Sequence, residues 1–83
     1  MSVNKVMMVG RLGADPELRY TQAGQAMTTF RLATSRQYKT RDGEKVEDTQ
    51  WHNIKVWGAQ AETCEKYLEK GRQVFIEGRL EHR

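Results

Sequence analysis

With a single cysteine, Cys64, in 83 residues, the sequence offers no intramolecular disulfide and no cysteine-based metal site. Its two histidines, His52 and His82, are thirty residues apart and lack any ligand spacing, so no metal and no cofactor are expected. Uncharged apolar runs stay far short of the ~18 residues that a bilayer-spanning helix needs, which excludes a membrane role of that kind. The opening Met1-Ser2-Val3-Asn4-Lys5 has neither the apolar stretch of a signal peptide nor an Arg/Ser-rich leader, and a cytoplasmic location is expected by default. A chain of this length builds one core, so residues 1–83 are expected to form a single domain.

What is plentiful is charge, 30% of residues, and it is unevenly placed. Residues 1–41 carry seven Lys/Arg against Asp15 and Glu17, while residues 42–83 carry seven against nine acids, for a net +3 overall. A basic half suggests a polyanionic partner, although most charge runs are simply solvated faces, and position has to decide between the two.

Hydrophobic period divides the chain into strands and one helix. Asn4 to Leu12 is apolar-rich with Gly10 inside it, which predicts a long strand bent at a glycine. Leu18-Arg19-Tyr20 is a short extended piece after Asp15-Pro16-Glu17, ahead of the turn signal Gln22-Ala23-Gly24-Gln25. Met27 to Ser35 alternates, with Thr28, Phe30, Leu32 and Thr34 on one face and Met27, Thr29, Arg31 and Ala33 on the other. The Asp42-Gly43 pair predicts a short hairpin turn into Thr49 to Trp57, whose faces are His52, Ile54, Val56 and Trp51, Asn53, Lys55, Trp57. Ala59 to Lys70 switches to a helical period, with Ala61, Cys64, Leu68 and Tyr67 inward, a Glu62–Lys66 pair on the wet side and Gly71 as the stop. Gln73 to Leu80 is a fourth strand, with Val74 and Ile76 on one face and Gln73, Phe75 and Glu77 on the other. No internal repeat is expected.

Strands in this order with one helix before the last predict an all-β fold with one helix, the five-stranded Greek-key OB barrel, here with its fifth strand missing. That strand should pair between the third and fourth. Its absence predicts an open seam beside Ile54, Val56, Val74 and Ile76, and hence a longer parent chain or a strand supplied by a neighbour.

If Ile54 and Val56 fill the core, Trp51, Asn53, Lys55 and Trp57 must point outward together. Large aromatics on a charged surface are disfavoured unless something covers them, and a lysine and an amide sit between these two at two-residue spacing. Bases stack on aromatic faces while interleaved cations meet the phosphates that accompany them. The competing possibility is that the tryptophans cover a hydrophobic flank or a protein interface. Arg31 and Thr29 project from the neighbouring strand, and the hairpin beyond adds Arg36, Tyr38, Lys39, Arg41 and Lys45 as a basic arm extending the same groove. Nothing points to catalysis: Cys64 is on an apolar helix face, His52 faces the core, and no helix follows Gly10-Arg11-Leu12-Gly13 to make a phosphate loop.

Val3-Asn4-Lys5-Val6, Gly10 to Tyr20, Ala33-Thr34-Ser35, Trp51-His52, Tyr67 to Gly71 and Val74 to Leu80 together resemble the bacterial single-stranded DNA-binding protein family, over the whole chain. The resemblance implies an OB fold that assembles as a homotetramer, a dimer of dimers, and wraps single-stranded DNA with little sequence preference in replication, recombination and repair. It implies base stacking on Tyr38, Trp51 and Trp57 and phosphate contacts from Lys5, Arg19 and Lys70, beside Arg31, Arg36, Lys39 and Lys55 read from their positions. It also implies interfaces that involve His52 and Gln73, next to which the free edge of the first strand at Val6 and the outward Phe75 are expected to take part. The family's acidic-tipped tail, which recruits replication and repair proteins, lies beyond residue 83, so those partners are expected only where a longer chain supplies it. The rival expectation is an OB interaction module of the replication-restart type that touches DNA weakly.

Overall fold

The computed structural model describes residues 2–81, so Met1, His82 and Arg83, and with them the expectation for His82 as a non-ligand, lie outside the described residues. The order is β1 (Val6–Leu12), β2 (Glu17–Tyr20), β3 (Ala26–Lys39), β4 (Lys45–Trp57), α1 (Ala59–Tyr67) and β5 (Gln73–Gly78). One antiparallel sheet runs β2-β3-β1-β5, with β4 on β3. The all-β fold with one helix is as expected, whereas the count of four strands is corrected to five. Glu17–Tyr20 pairs residue by residue with Ala26–Thr29, and its pairing was invisible in the sequence because four residues are too few to show a period. Among the described residues β4 and β5 do not pair with each other, and the sheet is open there. Ile54, Val56, Val74 and Ile76, on the two sides of that opening, are only half-buried.

The alternation of β3 sets the core. Ala26, Thr28, Phe30 and Leu32 are buried and the residues between them are not, so one face of the strand carries the packing. Phe30 and Leu32 join Leu12 in the buried cluster, with Met8, Ile54, Val56, Leu68, Val74 and Ile76 packed around it. Thr28 is the one buried polar side chain of this set, and its hydroxyl donates to the carbonyl of the fully buried Ala61 at 2.6 Å. That bond seats α1 on the sheet and satisfies a hydroxyl that would be costly to bury alone.

The helix is shorter than its period suggested. It ends at Tyr67, and Leu68 leaves it in extended backbone while its N–H still donates to the Cys64 carbonyl at 2.9 Å. Gly71 is therefore not the stop. Its φ of +86° serves a later turn, in which its N–H reaches the Leu12 carbonyl at 2.9 Å. Tyr67, expected inward, is exposed, and Lys66 lies over its ring at 5.4 Å instead of pairing with Glu62. Glu62 accepts from the Tyr20 hydroxyl at 3.3 Å, tying α1 to β2. The Glu62 carboxylate, with Glu65 behind it, holds the Tyr20 hydroxyl above the usual phenol range and so keeps it a donor.

The β3–β4 hairpin extends beyond the expected Met27–Ser35 and Thr49–Trp57 strands, with an unbroken register from Met27–Trp57 to Lys39–Lys45. Its turn is not the two-residue Asp-Gly type. Thr40 N–H donates to the Glu44 carbonyl at 2.9 Å, Gly43 N–H donates to the Thr40 carbonyl at 3.0 Å, and only Gly43 takes positive φ, at +82°. Thr21 to Gln25 repeats the arrangement with Gly24, and in both turns the threonine hydroxyl accepts from the last N–H. The shared Thr-x-x-Gly pattern is a signal that a search for long repeats passes over.

Gly10 precedes the point at which β1, still on β5, also pairs with β3. A Cβ on Gly10 would collide with the Ala33 carbonyl oxygen and sit 3.0 Å from Leu32 Cγ. Gly10→Ala is expected to destabilise the fold by about 1–3 kcal/mol through overpacking against backbone that cannot give way. Gly78→Ala, where a Cβ meets nothing within 4 Å, serves as the control. Urea denaturation midpoints of the two variants check this.

Candidate nucleic-acid interface

The outer face is assembled by register. Arg19, Met27 and Trp57 form one cross-strand row, Glu17, Thr29 and Lys55 the next, then Arg31 with Asn53, and finally Gln73, Arg11, Ala33 and Trp51. Side chains at these positions share one side of the sheet because each strand alternates. Trp51 and Trp57 are 50% and 45% exposed, so neither belongs to the core. Lys55 and Asn53 stand between them, and Arg31 and Arg19 flank them on the neighbouring strands. The stripe read from the sequence is thus assembled, with Arg11 added. Arg11 was missed because nothing in the sequence shows that β1 ends beside Ala33.

Trp51 is held closely. The Arg31 guanidinium carbon lies 4.7 Å from its ring centroid, and a Cβ on Gly13 would come within 2.5 Å of its Cζ3. Gly13 is placed there by its N–H, which donates to the Arg31 carbonyl at 3.0 Å. A shallow groove of about 440 Å³ runs beside this constellation, lined by Arg31, Asn53 and Lys55 and also by Asp15 and Glu17. The groove is therefore of mixed charge. Glu17 is engaged by Arg19 at 3.4 Å, and Asp15 accepts the Lys70 backbone N–H at 2.8 Å, which fixes Lys70 at the Gly13 end of the stripe. The Arg11 guanidinium donates to the Gly71 carbonyl at 2.9 Å in the same region.

Other positions are separated from the stripe. On the arm, Arg36 and Tyr38 pair with Asp48 and Val46, on the local face opposite that of Trp51, so they do not continue the outer groove as expected. Tyr38 is exposed, Arg36 lies over its ring at 5.4 Å, and Arg36 Nε is 3.4 Å from Asp48. Lys39 keeps the parity of Trp51 and faces Lys45 directly across the tip, two like charges opposed with Arg41 next in the turn. Lys5 is bound by Glu77 at 2.7 Å.

The expected interface residues also divide. Gln73 and Phe75 lie on the outer face of β1–β5, with Phe75 opposite Val9 and exposed beside Met7. Val6 and His52 are half-buried on the inner face, where His52 Nε2 and the Thr34 hydroxyl are 2.9 Å apart. Burial pushes the half-buried Cys64 thiol up, which keeps it protonated and unreactive at neutral pH. No helix among the described residues is long and apolar enough to cross a membrane.

Residues 3–83 match the single-strand binding protein family. The chain is 53% identical over 81 residues to single-stranded DNA-binding protein 1 of Chlorobaculum tepidum, covering 98% of this chain and 50% of that protein. It is 48% identical over 83 residues to the single-stranded DNA-binding protein of Neisseria meningitidis, covering all of this chain and 48% of that one. The chain thus spans about half the length of these relatives. A crystal structure of a deletion mutant of the Thermus aquaticus single-stranded DNA-binding protein superposes with TM-score 0.87 at 38% identity, over 98% of this chain and 40% of that one. The Plasmodium falciparum SSB complex with single-stranded DNA gives TM-score 0.89 at 36% identity, over 95% of this chain and 70% of that one.

Gly13→Ala is expected to push the Trp51 ring away, since the ring is the movable partner and the Gly13 backbone is not. A changed near-ultraviolet circular dichroism band with stability held within about 1 kcal/mol is the expected result, as for a mutation accommodated by a surface side chain.

Proposed function

The chain belongs to the single-strand binding protein family, and on that premise we propose that residues 1–83 form one nucleic-acid-binding domain that holds single-stranded DNA against the outer face of β3–β4. The observation that carries this is the solvent-facing stripe Trp51, Asn53, Lys55, Trp57 on a sheet whose opposite side is the core. Bases stack on the two rings without regard to sequence, because every base has a π-face, while Lys55, Arg31, Arg19, Arg11 and Lys70 meet phosphates. Lys39 extends contact along the arm on the face of Trp51, and Tyr38 and Arg36 extend it from the reverse local face. Lys5 joins only by leaving Glu77, an exposed ion pair of small worth that a phosphate can replace. The role is protection of single strands in cytoplasmic replication, recombination and repair, with no catalysis. Replication and repair proteins are partners where a longer chain carries the recruiting tail.

Self-association accompanies this. Met7, Val9 and Phe75 are 63%, 55% and 60% exposed and adjoin one another on the outer face of β1–β5, an apolar patch of the kind that a second copy covers. Among the described residues β1 pairs with β3 only at Arg11 and Leu12, which leaves Val6 to Val9 open on that side for strand addition. A homotetramer built as a dimer of dimers uses both features, with Gln73 and His52 near the contacts.

Trp51→Ala and Trp57→Ala are each expected to weaken oligothymidylate binding by about 1–3 kcal/mol, the range for base–aromatic stacking in OB folds, of which this family is one source. Titration by anisotropy of a labelled oligonucleotide measures it, and a variant that unfolds while the folded fraction binds normally would reassign that ring to the core. Phe75→Glu is expected to lower the mass seen by sedimentation at micromolar concentration relative to wild type, whereas a wild-type chain sedimenting only as monomer would remove the self-association.

A further inference from the structure

Two of the three candidate stacking rings already carry a guanidinium in the free protein. Arg31 lies over Trp51 at 4.7 Å and Arg36 over Tyr38 at 5.4 Å, whereas Trp57 has no cation over it among the described residues. The two arginines are held differently. Arg36 is also within 3.4 Å of the Asp48 carboxylate, an exposed ion pair that gives it a second partner. Arg31 has no carboxylate partner and makes no side-chain hydrogen bond among the described residues, so the Trp51 ring is its one recorded contact of this kind.

We propose that Arg31 is a displaceable cap on Trp51. In the free protein it covers one face of the ring, and on binding a base takes that face while the guanidinium passes to a backbone phosphate. This rests on the nucleic-acid reading of the outer face given above. The relative strengths permit the exchange. An exposed cation–π contact holds the cap by about two- to five-fold. A stacked base is worth about five- to more than a hundred-fold, so it displaces the cap. The released arginine remains at the groove it lines together with Asn53 and Lys55, where Asp15 and Glu17 also stand, and a phosphate entering there meets it beside Lys55.

The cap has a consequence that an ordinary phosphate-binding arginine lacks, since it opposes binding through the ring and favours it through the phosphate. The two contributions respond differently to salt. One phosphate contact adds about 0.7 to the slope of log affinity against log salt, which is worth about eight-fold at about 50 mM and little at about 1 M. The Trp51 ring carries no net charge and no condensed counterions, so contact between guanidinium and ring has no counterion-release cost and falls less with salt than the phosphate contact does.

The test is anisotropy of a labelled oligothymidylate titrated with wild type, Arg31→Ala and Arg31→Lys across that salt range. Arg31→Ala is expected to bind a few-fold more weakly than wild type at low salt and about two- to five-fold more tightly at high salt, so that the two lines cross. Arg31→Lys keeps the charge and is expected to keep the wild-type slope while binding as tightly or more tightly throughout. Lines for Arg31→Ala and wild type that never cross, whether coincident or with the variant weaker everywhere, overturn the cap and leave the interface standing. Failure of the wild-type chain to bind the oligonucleotide at all overturns the interface itself. If Arg31→Ala proves unfolded by circular dichroism, Arg31→Lys decides alone, and its binding more weakly than wild type at every salt overturns the cap.

Discussion

The register of β3 against β4, unbroken from Met27–Trp57 to Lys39–Lys45, is the constraint on which the rest of the structure depends. Because side chains alternate along a strand, fixing one pair fixes the face of every other, and a slip by one residue would exchange core for solvent. With Phe30 opposite Ile54 and Leu32 opposite His52, the inner side gathers apolar atoms. The same ladder then has no choice but to present Trp51 and Trp57 outward, with Asn53 and Lys55 between them. Core and stripe are two sides of one pairing.

The segment Gly10-Arg11-Leu12-Gly13 adapts the rest of the sheet to that ladder. Gly10 lets β1 come close enough to the Ala33 backbone to pair with β3 while it stays on β5, which delivers Leu12 into the core. Gly13, three residues on, has no side chain where Trp51 needs room. Arg11, between them, points outward and ties the Gly71 turn to the end of the stripe. In four residues the backbone gains a second partner and a surface ring finds its place. A larger residue at either glycine strikes something different, backbone in one case and a ring in the other.

Much of this was legible in the sequence, for a physical reason: alternation is a local property, and the faces of β3, β4 and β5 follow from it without knowledge of partners. Pairing is not local. That Glu17–Tyr20 docks on Ala26–Thr29, that Arg11 lies beside Ala33, and that Arg36 and Tyr38 fall on the reverse side of the arm all depend on which residue sits opposite which, and composition does not encode that. The end of α1 at Tyr67 was hidden because Leu68, although apolar in period, reaches the core from extended backbone. Ion pairs such as Lys5 with Glu77, more than seventy positions apart, carry no sequence signal at all.

Among the described residues the arm beyond Ser35 and Thr49 consists of β3 and β4 alone, since β1 and β2 pair with β3 only up to Ala33. A two-stranded ribbon coils more strongly than a broad sheet, and always with the same hand. Trp51 and Tyr38 lie on its two local faces, a few rungs apart. For a polymer in contact with both rings, the twist between those rungs, whose hand the chirality of L-amino acids decides, sets how far it must turn about the ribbon.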